Sequence, residues 1–265
     1  MLRFFLLCFL LICVNGLFGS VATDGIKQLS LHNRICMKEF FEQAVRYDQA
    51  AHVLCFENKP ACIIAIVMKS KDLSYREQLA LKGWRAFKKN ADLFPHPKFI
   101  FSENICRFDR DFKVLHIYLI NKEVARETLN EHRALFQETL GEHFCPDDFV
   151  AQLEKGVSLP VLLHNNEMLL GILLGYGKES AKAFQEVRPK CTRTNIPPPT
   201  DTYCRIDLRK PKGCRIGPVV FMGNPHSSEV QQLAAAYEKE LEVFWQEYQQ
   251  SKSHLEMVLE KLCEE

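Results

Sequence analysis

The sequence predicts an α+β protein: a mainly antiparallel sheet with several helices and a long C-terminal helix. Three observations predict it. Residues 33–50, 74–94 and 122–140 repeat apolar side chains at helical spacing. Short apolar runs rich in β-branched residues, such as ACIIAIV and FKVLHIYLI, are bounded by Asn, Asp and Pro as strands are. From Val230 to Leu262, apolar positions alternate spacings of four and three over a stretch with neither glycine nor proline.

The elements follow in order. Residues 1–22 read as a signal peptide: Arg3 supplies a positive start, Phe4 to Val14 is an uncharged apolar run, and Ser20-Val21-Ala22 offers a small-residue cleavage site. An uncleaved anchor is the alternative, because the run stretched to Ala22 nearly reaches the roughly 20 residues of a membrane span. No later segment is long and apolar enough for a span, so none is expected after cleavage. An α+β domain is assigned to residues 23–190. In it, residues 33–50 place Ile35, Phe40, Phe41, Ala44 and Val45 on one helical face. HVLCF and ACIIAIV flank the turn Glu57-Asn58-Lys59-Pro60 and read as a β-hairpin. Ser74 to Phe94 is an amphipathic helix, KFIFSE and FKVLHIYLI a second strand pair, and Lys122 to Leu140 another helix. That recurrence of strand, strand and helix suggests a sheet with helices on one face. Pro146 opens a short helix to about Lys155, and Leu159 to Leu174 reads as buried helix. Residues 191–217 form a Pro/Cys-rich basic loop, and residues 218–265 a short strand followed by a long amphipathic helix.

Composition narrows the function. Without residues 1–22 the chain carries 33 basic and 33 acidic side chains, which argues against a nucleic-acid partner. The charge is unevenly placed. Residues 188–215 carry a net +6 and residues 229–265 a net −6. The two segments either pair within the molecule or form separate solvated faces. The sharper alternative is that the basic loop meets an anionic lipid or polysaccharide surface. The apolar seam of residues 228–263 packs along its own domain or forms a coiled coil for self-association or a protein partner. Aromatic residues at three seam positions favour packing within the chain.

Nine cysteines follow residue 22, and in an exported chain disulfides are their default use. Cys55 and Cys62 lie symmetrically about the expected hairpin turn, where a cross-strand bridge could form. Cys191, Cys204 and Cys214 are candidates to restrain the Pro-rich loop. No Cys-x-x-Cys occurs, so neither zinc ribbon nor thioredoxin-type chemistry is indicated, and no metal or cofactor is expected. His143 and Cys145, with His132 nearby, match no zinc spacing. Serine chemistry lacks both the Gly-x-Ser-x-Gly elbow and a Ser-x-x-Lys pair. Five residues rather than four separate Gly171 from Gly177, and Glu179 replaces the hydroxyl that a phosphate loop needs. Gly175, Gly177 and Lys178 remain candidates for an anion contact at a helix start.

The segment HNNEMLLGILLGYGKESAKAF, residues 164–184, resembles a stretch shared by uncharacterised exported proteins of intracellular bacteria such as chlamydiae and legionellae. The strand Ile117-Tyr118-Leu119-Ile120-Asn121-Lys122 is similar to a second such stretch. The resemblance covers about residues 95–190 and implies a Gram-negative envelope or secreted location. With no catalytic motif and a long heptad helix beside a basic loop, the expectation is an exported, disulfide-stabilised protein that acts by binding. The alternative is a hydrolase of an envelope or host polymer, which a Cys–His pair within hydrogen-bond reach would favour.

Overall fold

The computed structural model describes residues 20–69, 73–107, 111–187, 204–217 and 219–264. The residues that read as a signal peptide thus lie outside the described residues, except Ser20, Val21 and Ala22. These three open helix α1 (Val21–Gln28), whose N-cap Ser20 accepts from the Thr23 N–H. Ala22 is buried in the core.

The central sheet contains β1 (Ala61–Lys69), β2 (Phe99–Arg107) and β3 (Lys113–Asn121), ordered β1-β3-β2 and antiparallel throughout. Strand alternation sends Cys62, Ile64, Ile117 and Leu119 to one face, and Ala61, Ile100, Tyr118 and Ile120 to the other. Both faces are apolar, so each must be covered. The first lies under α2 (Leu31–Arg46), α3 (Ala50–Cys55) and α4 (Tyr75–Lys89), together with α11 (Ser228–Gln250) and α12 (His254–Cys263). The second lies under a run of shorter helices: α5 (Lys122–Glu131), α6 (Arg133–Leu140), α7 (Pro146–Glu154), α8 (Leu159–Leu162), α9 (Glu167–Leu173) and α10 (Lys178–Val187). The expected arrangement of helices on one face is corrected to helices on both. The α+β class stands: antiparallel sheets, helices and a C-terminal helix are all present.

Close packing fixes the first layer. An added Cβ at Gly83 of α4 would fall 2.0 Å from the Cys36 carbonyl oxygen of α2, so only glycine allows the two helices to cross at this distance. Phe40, Trp84 and Phe87 interlock beside that crossing, with ring centroids 5.3 Å apart for Phe40–Trp84 and 5.7 Å for Trp84–Phe87. All three are buried, each stabilising the core by roughly 2 kcal/mol from removed apolar surface.

Four elements depart from the sequence expectation. HVLCF is not a strand: Ala50–Cys55 is a helix that starts after Gln49 in a left-handed conformation, φ 66°, and β1 pairs with β3 instead. Six residues are too few to show a helical period, and this apolar run resembles a strand. The segment 122–140 divides at His132 into α5 and α6. Leu159 to Leu174 divides into α8 and α9, because His164 (φ 51°) and Asn165 (φ 57°) are both left-handed. The 36-residue terminal helix divides at Ser251, which is extended, and restarts at the N-cap Ser253.

The Pro/Cys-rich segment also carries more structure than a loop. Residues 188–203, including Cys191 and the three prolines, lie outside the described residues. Cys204–Asp207 forms β4, paired antiparallel with β5 (Val220–Gly223). This ribbon packs Phe221 and Val219 against Val230 and Tyr237 of α11.

Candidate functional site

A recess with a mixed polar rim lies where α6, α7 and α8 meet, with a volume of about 590 Å³. That is within the usual range for a small-molecule site. Its apolar lining includes Leu140, Phe144, Phe149 and Leu162. Phe144 stacks on Phe136 at 5.4 Å and meets Phe149 edge-on at 5.9 Å, so the aromatic floor is held from below. The polar rim comprises Glu142, His143, Cys145, Asp148, Gln152 and His164. Local sequence explains the shape. Gly141 at φ 107° ends α6, and Pro146 starts α7 after a four-residue turn. On the far side His164 and Asn165 hold two consecutive left-handed residues, an arrangement that costs about 1 kcal/mol or more per non-glycine residue. The turn is stabilised by Asn165 N–H donating to the Pro160 carbonyl at 2.7 Å.

His143 and Cys145, set aside as zinc ligands on spacing, do share this rim, and so does His164. Among the described residues no group of three or more His, Cys, Asp or Glu side chains is arranged to hold a metal ion.

At the start of α10 backbone N–H groups form a nest whose anion belongs to the protein itself; the Gly175 N–H takes no part and donates to the Ile172 carbonyl at 2.9 Å. Gly177 is left-handed (φ 80°), and the N–H groups of Lys178 and Glu179 at the start of α10 donate to the Glu229 carboxylate at 2.8 and 2.9 Å. The exchange is reciprocal, since Ser227, the N-cap of α11, hydrogen-bonds Glu179. Glu229 thus caps the start of α10, while Ser227, held by Glu179, caps α11 through the Val230 N–H. Gly175 (φ 73°) is required by contact: an added Cβ would lie 2.5 Å from the Tyr237 hydroxyl, which donates to the Gly175 carbonyl at 2.6 Å. The recess that holds His164 is lined by neither Gly175 nor Lys178.

A buried polar cluster that sequence reading missed joins α3 to α11. His52 Nδ1 lies 2.7 Å from Glu240 Oε2, and Asn58 donates to Glu240 Oε1 at 2.5 Å. Burial holds His52 below its usual range, against the opposing pull of Glu240. The geometry fits a neutral imidazole donating from Nδ1, and Nε2 finds no partner among the described residues. Lys59, expected in an exposed turn, is fully buried. Its ammonium donates to the Leu174 carbonyl beyond α9 and lies 4.7 Å over the Tyr176 ring. Burial pushes Lys59 down to about 8 and Tyr176 up to about 12. These side chains link the turn at Asn58 and Lys59 to the middle of α11 and the end of α9, and His52 and Glu240 are 188 residues apart in sequence. Only the mixture of His, Asn and Lys around an apolar run hinted at them.

The disulfide expectations are corrected for the described cysteines, all eight of which carry free thiols. Cys55 closes α3 whereas Cys62 lies on β1 opposite Leu119, so the two never face each other across a ladder. Burial raises both thiols to about 12. Cys204 stands opposite Gly223, and the Cys214 thiol donates to the Ile216 carbonyl at 3.8 Å. The seam of the terminal helices is committed to the chain's own core: Val230, Tyr237, Leu241, Phe244, Tyr248, Leu255, Val258 and Leu262 are all buried. Where the basic segment is described, the Arg209 N–H donates to Glu238 of the acidic α11 at 2.8 Å.

Fold and recess together describe a three-layer α+β protein with a partly apolar recess on its second helical layer. Among the described residues no helix is long and apolar enough to cross a membrane. The chain matches no protein-family model, no curated protein and no solved structure.

Proposed function

We propose that the protein is exported, to the envelope or beyond it, and acts by binding a small amphipathic molecule in the recess between α6, α7 and α8. The export part rests on the charged start, apolar run and small-residue site of residues 1–22. The binding part rests on one observation: an aromatic floor is ringed by His143, Cys145, Gln152 and His164, with two left-handed residues holding one rim. The nest at α10 and the cluster around Glu240 are filled by the protein's own side chains, whereas this rim faces an opening. Phe144, Phe149 and Leu162 would take the apolar body, and the imidazoles of His143 and His164 its hydrogen-bonding head.

Titration with 1-anilinonaphthalene-8-sulfonate, an amphipathic probe of suitable size, tests this by fluorescence. Saturable binding of one probe per chain is expected. Val161→Glu should weaken it by at least about ten-fold, because this exposed rim residue would place an anionic side chain at the mouth, where it repels the probe's sulfonate. Non-saturable fluorescence, or equal affinity in the variant, would overturn the reading.

A further inference from the structure

Along β2 burial falls away: Ile100 and Ser102 are buried, but Asn104 and Cys106 are only half-buried. The Ser102 hydroxyl accepts from the Leu159 N–H at 2.8 Å and ties the covered part of this face to α8. Beyond it the same face carries Asn104 and Cys106, with His116 and Val114 on β3 and Ala65 and Val67 on β1. His116 stands opposite Asn104 on one side and Ala65 on the other, while Cys106 stands opposite Val114. The diagonal brings Cys106 Sγ to 3.4 Å from His116 Nδ1, and Asn104 Nδ2 donates to the same sulfur at 3.5 Å. A thiol, an imidazole and an amide therefore converge on an open part of a sheet face, beside a shelf of small apolar side chains.

We propose that Cys106 is the nucleophile of an acyl-transfer site, with His116 as its base and Asn104 as an N–H donor to the sulfur. The substrates that fit the half-buried shelf of Ala65 and Val67 are esters or thioesters of short acyl groups. A nucleophile with a base in hydrogen-bond reach is the minimal apparatus for covalent catalysis. Burial holds His116 below its usual range, so the ring is neutral and its Nδ1 lone pair is available to the thiol proton. The other Cys–His contact among the described residues, Cys36 with His32 at 3.6 Å, lacks this character: it lies within one helix, and the Cys36 side chain is buried under α4.

In the first step Cys106 Sγ attacks the acyl carbonyl carbon while His116 takes the thiol proton. The C–S bond forms, the bond to the leaving oxygen or sulfur breaks, and His116 returns the proton to the leaving group. In the second step water attacks the thioester and passes its proton to His116. The C–S bond then breaks, the carboxylic acid leaves, and the sulfur is reprotonated. The net reaction is hydrolysis with water as co-substrate. This activity goes beyond the binding reading and uses none of the recess residues.

The full chain with p-nitrophenyl acetate tests the proposal, by nitrophenolate release and by mass spectrometry of the peptides. A burst is expected with one acetyl group on the Cys106 peptide. Cys106→Ser should abolish both. His116→Gln, which keeps the thiol, should slow acylation at pH 7 by about 100-fold. Circular dichroism checks that each variant folds. Acetylation of Cys106 no faster than that of Cys204 or Cys214, or a wild-type rate in His116→Gln, would overturn the proposal.

Discussion

At the residue scale, the most informative side chain is Lys59, a cation enclosed by Tyr176, Tyr237 and the end of α9. Its charged form is disfavoured in the fold, which holds it near 8 against an ordinary value of 10.5. The unfolded chain therefore binds more protons than the folded one between these two values, and stability contributed by this group rises with pH across that window. Below pH 8 the full cost is present; above 10.5 it is gone. A Lys59→Met variant has no such term. Urea denaturation of both proteins should show the variant losing about 3 kcal/mol relative to wild type between pH 8 and 10.5. A pH-independent difference would mean that the ammonium is solvated and the cluster is not closed. Lys59 also shows why the site was hard to read from sequence. In Glu57-Asn58-Lys59-Pro60 it looks like an exposed turn residue, because lysine is almost never fully buried without a partner. Its partners are a backbone carbonyl and two rings more than 100 residues away, which no local pattern encodes.

At the element scale, helix ends do much of the organising. Glu229 caps α10 from the first turn of α11, and Glu179 returns the contact to Ser227. Glu229→Ala should cost about 1 kcal/mol in thermal or urea unfolding, and Glu229→Gln less, since the amide oxygen can still accept. Equal, near-zero effects would show that the nest needs no anion. Gly177 and Lys178 marked a helix start in the sequence, but the carboxylate received there did not show, because Glu229 lies about 50 residues away. Helices with a sustained period were equally legible. Phe40, Phe41, Ala44 and Val45 are buried on α2 as expected, whereas Ile35 is exposed. Periodicity misled at the terminal helix. Tyr248 and Leu255 keep their seven-residue spacing across a break, so the seam looks continuous. The break has its own signature, Ser253 three residues before Glu256, with the Ser253 hydroxyl accepting the Glu256 N–H at 3.3 Å. Absence of glycine and proline is thus no guarantee of one unbroken helix.

At the scale of the whole molecule, the two ends of the described chain hold each other. Ser20 donates to Glu260 at 2.7 Å, Thr23 hydrogen-bonds Glu256, and Ala22 is buried in the core shared with α12. The expected cleavage after Ala22 would remove the N-cap Ser20 and the first two residues of α1, Val21 and Ala22. A chain beginning at Thr23 should be about 2 kcal/mol less stable than one beginning at Ser20, a difference read as a lower melting temperature. Equal melting temperatures would show that α1 contributes nothing through these contacts. The sheet and its two helical layers set the remaining geography: the recess lies among the short helices of the second layer, and the Cys106–His116 pair on the more exposed part of the same sheet face. The most direct test of the binding account is residue-resolved NMR of the isotope-labelled chain during titration with 1-anilinonaphthalene-8-sulfonate. The account predicts chemical-shift changes concentrated at Phe144, Phe149, Val161 and His164, saturating together with one affinity. Shifts scattered over the surface, or concentrated elsewhere in the molecule, would contradict it.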